Sequence, residues 1–232
     1  MKTKQHKIAL VLALVAAACV ALSIVRYIYS GTIRHLYLPW NLLLGSLPLY
    51  LAYILSQYRG RWFWVLFIVW LLFLPNAFYI VTDLLHLNPI EANLEHYWVG
   101  NYRYALEPNS PGILFDTALL FMYSSYGFLL GLISTGVVHD QLLDKKRFKP
   151  NAAWLTILGS LFLSGLAIFI GRRLRLNSWD IATDPVGLVK LIANIFLHPI
   201  ANAEAWAVTL LFFYVSACFY LLYRSLIYLT KP

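Results

Sequence analysis

The sequence predicts an all-α polytopic membrane helix bundle: six transmembrane helices, with short interfacial helices in two outer loops. Three observations carry this reading. Of the 232 residues, 61% are hydrophobic and 12% charged, against roughly 25% charged in a soluble domain. Mean hydropathy is +0.69. Six apolar runs of about 20 residues, each enough to cross a hydrocarbon core, recur along the chain.

The runs cover residues 8–25, 38–56, 62–82, 113–138, 152–170 and 205–222. Lys2, Lys4 and Lys7 precede the first, which is longer than a usual signal-peptide core. Ala16-Ala17-Ala18-Cys19 lacks the Leu of a lipoprotein cleavage site. An uncleaved first span is therefore expected. Cys19 and Cys218 both lie in apolar runs and imply no disulfide framework. No internal repeat or low-complexity linker appears, so the chain 1–232 reads as one integral membrane domain.

Six spans put both termini on one side, and the cations say which. Eleven of the Lys and Arg residues fall at the N-terminus, in the 59–61 and 145–149 turns and at the C-terminus; seven fall on the other face. The positive-inside bias makes the richer face cytoplasmic. The net charge of +8 sits at span ends and not on a soluble face, so the partner it implies is the lipid bilayer and not nucleic acid.

The polar chemistry gathers on the opposite face. Asp83, Glu91, Glu95, Glu107, Asp116, Asp180, Asp184 and Glu204 lie there with His35, His86, His96 and His198, while Asp140 and Asp144 lie inside. Acids contribute little to insertion topology, so insertion does not explain their placement. In the first outer loop, Asn88-Pro89 with Glu91 has the form of a capped helix start, and a short helix over 89–98 is expected. The aromatic group Tyr97, Trp98, Tyr102 and Tyr104 suits the headgroup level. In the second, Asp184-Pro185 opens a run too short to span. Leu188, Leu191, Ile192 and Ile195 form one of its faces, and Lys190, Asn194 and His198 another. That run reads as an interfacial or re-entrant helix.

Three constellations on this face are candidate sites. Span three ends Pro75-Asn76…Tyr79…Asp83…His86, whose spacings of three and four place the polar residues on one α-helical face. Polar groups in a span usually face protein and are often functional; the bland alternative is repair of a Pro75 kink by Asn76 plus a solvated Asp83. Asp116 sits early in span four, where it either complements the helix dipole or faces Asp83 or the arginines. The third is Gly171-Arg172-Arg173-Leu174-Arg175-Leu176-Asn177-Ser178-Trp179-Asp180. Three arginines on the wrong face for the charge bias need a local reason. Snorkelling is one; bidentate binding of a carboxylate or phosphate, with Asp180 pairing with and orienting an arginine, or a structural ion pair, is the other. Gly127 and Gly131, one turn beyond Ser124, mark close helix packing and carry no chemistry.

Asp83, His86 and Asp116 are the candidate catalytic residues, with His86 or Asp83 as general base, since His titrates near neutrality and burial tunes a carboxylate. Asn41, Asn76, Arg172, Arg173, Arg175, Asn177, Trp179 and Asp180 are the candidate ligand-binding residues, for an anionic lipid or other phosphate-bearing ligand. No metal is expected, because His198 and Glu204, even with Asp83 and His86, match no zinc spacing. The sequence points to no cofactor, and no serine or cysteine nucleophile signature is present.

Three stretches resemble a known family: Leu38-Pro39-Trp40-Asn41-Leu42, then Trp70-Leu71-Leu72-Phe73-Leu74-Pro75-Asn76-Ala77 running on to Thr82-Asp83-Leu84-Leu85-His86, then Arg173-x-Arg175-Leu176-Asn177-Ser178-Trp179-Asp180. In this order they resemble the bacterial multi-pass membrane family catalogued as domain of unknown function 1361. The resemblance implies a protein of the bacterial cytoplasmic membrane and no particular activity. Three functions stand open: an anion- or headgroup-binding site, catalytic or not, at the non-cytoplasmic face; a small transporter or permease component, with Pro75 and Asn76 at a broken helix; and a non-catalytic assembly partner.

Overall fold

The computed structural model describes residues 2–30, 35–87, 96–99, 102–105, 110–144, 147–174 and 183–230. They form α1 (Lys2–Ser30), α2 (Tyr37–Gln57), α3 (Arg61–Tyr79), a 3₁₀ segment (Ile80–Leu87), β1 (His96–Val99), β2 (Tyr102–Ala105), α4 (Ser110–Leu143), α5 (Pro150–Leu174), α6 (Pro185–Leu197) and α7 (Ala203–Leu229). Six helices are long and apolar enough to span a membrane: His6–Tyr29, Tyr37–Gln57, Arg61–Leu85, Gly112–Leu143, Pro150–Arg173 and Ala203–Leu229. The fold is the all-α polytopic class that the composition predicts. Backbone polar groups have no water partners in hydrocarbon, and a helix satisfies them within one segment.

Two local expectations are corrected. The helix expected over 89–98 is not helical at its end: His96–Val99 is a strand, antiparallel to Tyr102–Ala105, with Tyr97 opposite Tyr104 and Trp98 opposite Arg103. Residues 88–95 lie outside the described residues. Aromatic residues favour a pleated surface, and the intervening Gly100-Asn101 is a two-residue hairpin signal that outweighs the capping pattern upstream. In span three, α3 runs unbroken through Pro75 but gives way to 3₁₀ geometry at Ile80. A 3₁₀ turn takes 3.0 residues, so Asn76, Tyr79, Asp83 and His86 do not share one α-helical face.

The chain divides into two compact units: Met1–Leu42 with Ile80–Tyr126, and Leu43–Tyr79 with Gly127–Pro232. The first has Cys19, Leu38, Ile80, Leu119, Leu120 and Tyr123 at its core. Its α1 is mostly bare, with Ile8, Leu10, Val11, Leu14 and Ile28 exposed, as suits a lipid-facing helix. Polar contacts tie α1 down: Ser23 to the Tyr123 hydroxyl at 2.9 Å, and the Tyr126 hydroxyl donating to the Leu12 carbonyl at 2.6 Å.

The second unit is built on aromatic packing. Phe63, Phe67, Trp70, Leu74 and Phe78 of α3 are buried with Leu132, Val138 and Leu142 of α4, Ala153, Ile157 and Leu161 of α5 and Tyr220 of α7. Trp70 donates its indole N–H to Ser134 at 2.8 Å, which makes a buried polar edge affordable in an apolar interior. Gly131 marks close packing, as its spacing predicts: a Cβ there would sit 2.9 Å from the Phe78 ring. Gly60, in the turn between α2 and α3, has φ of 64°, and among the described residues nothing lies within 4 Å of a Cβ added there. The left-handed backbone alone is at stake, so Gly60→Ala is expected to cost about 1 kcal/mol. A small fall in the thermal midpoint, partly recovered in Gly60→Asn, checks this.

A helix forms in the run that Asp184-Pro185 opens. Asp184 caps α6 by accepting from the Gly187 N–H at 2.9 Å, with Pro185 opening the helix. Leu188, Leu191, Ile192 and Ile195 pack with Leu166 and Ile170 of α5 and Ala205 and Trp206 of α7. Asn202 clasps the α6–α7 connection, donating to the carbonyls of Asn194 at 3.2 Å and His198 at 2.9 Å.

Candidate functional site

The first unit collects charge where its spans end. Arg26, near the end of α1, makes a forked contact with Asp116 of α4: Nε to Oδ1 at 2.5 Å and Nη2 to Oδ2 at 2.9 Å. The fork matches carboxylate geometry, the arrangement in which arginine binds most strongly. His35, at the entry to α2, places Nε2 3.1 Å from Asp116 Oδ1. Only 5% of the His35 side chain is exposed, and 13% and 18% of Arg26 and Asp116. Both oxygens of Asp116 are therefore engaged by groups that favour its ionised form.

Asp83 lies in the 3₁₀ segment and is 2% exposed. Its Oδ2 accepts from Asn41 Nδ2 of α2 at 2.9 Å. A carboxylate only accepts, so this contact fixes which way the Asn41 amide points. The neighbouring Thr82 is buried too, and Ser124 of α4 donates to the Ile80 carbonyl at 3.1 Å where the 3₁₀ segment begins. Asn41 and Asp83 are thus brought together. Asp116 has partners the sequence reading did not assign, Arg26 and His35. Only topology could have suggested Arg26: a cation near the end of one span and an acid near the start of another, on one face, can form the pairing that intramembrane charges require.

The remaining candidates fall elsewhere. Asn76 is half-buried in α3, within the second unit. His86 belongs to the 3₁₀ segment, but its side chain lies outside the described residues. Arg172 and Arg173 occupy the last turn of α5, where a helix C-terminus favours cations. Arg173 Nε is 3.3 Å from Glu204 Oε1 of α7, with both side chains more than half exposed. Such an exposed pair contributes little to stability. Arg175, Asn177, Trp179 and Asp180 lie outside the described residues.

No curated protein and no solved structure matches this chain. A family model does, over residues 40–219, which takes in Asn41, Asn76, Asp83, His86, Asp116 and the whole arginine cluster but not Arg26 or His35. With more than half of its length matched, the chain belongs to the family described as a protein of unknown function, DUF1361.

Proposed function

We propose that this protein binds an anionic, phosphate-bearing ligand, most simply a lipid headgroup, at the non-cytoplasmic face of the bacterial cytoplasmic membrane. Both termini are cytoplasmic in this reading, and the two units act as one membrane domain, which a family match running through both supports. The observation that carries the reading is Asp83: a 2%-exposed carboxylate at the end of a membrane span, held by Asn41. Burying a carboxylate is costly, and within membranes such groups mark function. Asp83 is the working acid or base, and His86 is its alternative. Asp116, engaged by Arg26 and His35, positions the ends of α1, α2 and α4 and is not the base. Arg172, Arg173 and Arg175 are the residues proposed to hold the ligand's negative charge, and Asn76, Asn177, Trp179 and Asp180 are the further candidate contacts.

Asp83→Asn is isosteric but removes the charge, and Arg173→Ala removes one anion contact. Arg173→Ala is expected to reduce retention of a phosphate-bearing molecule in native mass spectrometry about tenfold, the scale of one charge-assisted hydrogen bond, with thermal stability nearly unchanged, whereas Asp83→Asn, which takes away a negative charge, is expected to leave retention equal or raise it. Undiminished retention in Arg173→Ala would sink the proposal. The change from α to 3₁₀ geometry at Ile80 favours one second reading, transport along a discontinuous span. Uptake into proteoliposomes, abolished by Asn76→Leu, would select it.

A further inference from the structure

The turn between α2 and α3 and residues 147–149 before α5 form a second polar feature, separate from the candidate-site residues. Over residues 58–61 and 144–149 the sequence places Arg59, Arg61, Lys145, Lys146, Arg147 and Lys149 against the single acid Asp144. The positive-inside bias explains cations in such loops. It does not explain how Arg147 is held. The Arg147 guanidinium lies 3.6 Å above the ring of the buried Phe63, and Nη2 donates to the Tyr58 carbonyl at 3.3 Å. Phe148 beside it stacks obliquely on Trp64, with centroids 5.7 Å apart. One turn is thus locked onto the other. Nη1 of the same guanidinium is buried with no hydrogen-bond partner among the described residues.

Helix polarity adds to this. α3 begins at Arg61 and α5 at Pro150, and neither carries an acid in its first turn. Cations at helix N-termini oppose the macrodipole, and an anion there is favoured. α7, by contrast, has Glu204 in its first turn. Burial and the Arg59 charge together push the Arg147 guanidinium below its ordinary pKa, and Asp144 only partly offsets them. A nearby anion would relieve all three strains: the unspent N–H, the crowded cations and the two uncompensated helix ends. Tyr58, Trp62 and Trp64 are exposed alongside, and aromatic rings of this kind settle at headgroup depth.

We propose that these paired turns bind the phosphate of an anionic lipid headgroup, with Arg147 as the fixed fork and Arg59, Arg61 and Lys149 around it. The site is independent of the Asp83 site, and either can fail alone.

The test uses the full chain in detergent, titrated with phosphatidylglycerol or phosphatidylcholine and read by native mass spectrometry. The wild type is expected to retain phosphatidylglycerol over phosphatidylcholine, and Arg59→Gln with Lys149→Gln to lower that retention about thirtyfold, from roughly 1 kcal/mol for each of the two cations near a lipid surface. Both positions are exposed, so this variant keeps the fold where Arg147→Ala also cuts the Tyr58 contact. Arg147→Lys, which keeps the charge and loses the fork, is expected to fall between. Equal retention of the two lipids, or equal phosphatidylglycerol retention by wild type and the double variant, overturns the proposal. Displacement by millimolar inorganic phosphate overturns the lipid assignment in favour of a free phosphate site.

Discussion

Replacing Arg26 by Met is expected to lower the thermal midpoint by roughly 4–8 °C, the equivalent of about 2 kcal/mol in a chain of this length. The figure lies between the cost of breaking a fully buried ion pair, about 3–5 kcal/mol, and that of a typical interhelical hydrogen bond in a membrane, about 0.6 kcal/mol. Arg26 and Asp116 are mostly but not wholly buried, which sets the intermediate value. Asp116→Asn is expected to cost less. A long arginine stem can carry its charge to the headgroups, whereas the short Asp116 side chain has no such escape. The exchange Arg26→Asp with Asp116→Arg should recover part of the loss that either single reversal causes. α1 exposes most of its apolar surface, so this pair is a main tie holding it, and differential scanning fluorimetry reads the effect directly.

Gly165→Ala is expected to destabilise by about 2 kcal/mol, in the range for overpacking a filled interior. A Cβ at Gly165 would lie 2.5 Å from the Thr209 carbonyl oxygen and 3.3 Å from the Phe213 nitrogen. These are backbone atoms and cannot rotate aside, so α5 and α7 must separate. Gly159→Ala is the control on the same helix. Nothing lies within 4 Å of its added methyl, and alanine is the better helix former by about 1 kcal/mol, so that variant is expected to be neutral or slightly stabilised. Comparable losses in both would mean that close approach of α5 and α7 is not what Gly165 provides.

Hydropathy made the six spans legible because an apolar run of about 20 residues has few other uses. The start at Asp184-Pro185 and the apolar face through Ile195 were equally readable, since both are local. The strand pair His96–Val99 and Tyr102–Ala105 was not, because the Asn88-Pro89 signal and the Gly100-Asn101 signal compete over one short stretch. The 3₁₀ segment after Tyr79 was invisible for a related reason: spacings of three fit both helix types. At the candidate site, Asn76, Asp83 and Asp116 stood out as polar groups in apolar runs. Arg26 and His35 did not, because each lies at a span end, where solvated polar residues are ordinary. Their pairing with Asp116 is a long-range fact that no local pattern encodes. Gly165 was missed because its partner is backbone on another helix, while the Gly127 and Gly131 spacing announced itself.

Orientation underlies the functional reading, which puts the Asp83 and arginine residues outside and the basic turns inside. Single cysteines at Ile200 and at Lys149, both exposed, in a Cys218→Ser background with Cys19 buried, permit a direct measurement with a membrane-impermeant maleimide on intact cells. The account predicts labelling of Ile200→Cys in intact cells and of Lys149→Cys only after the membrane is opened. The reverse pattern would place the polar site in the cytoplasm and contradict the account.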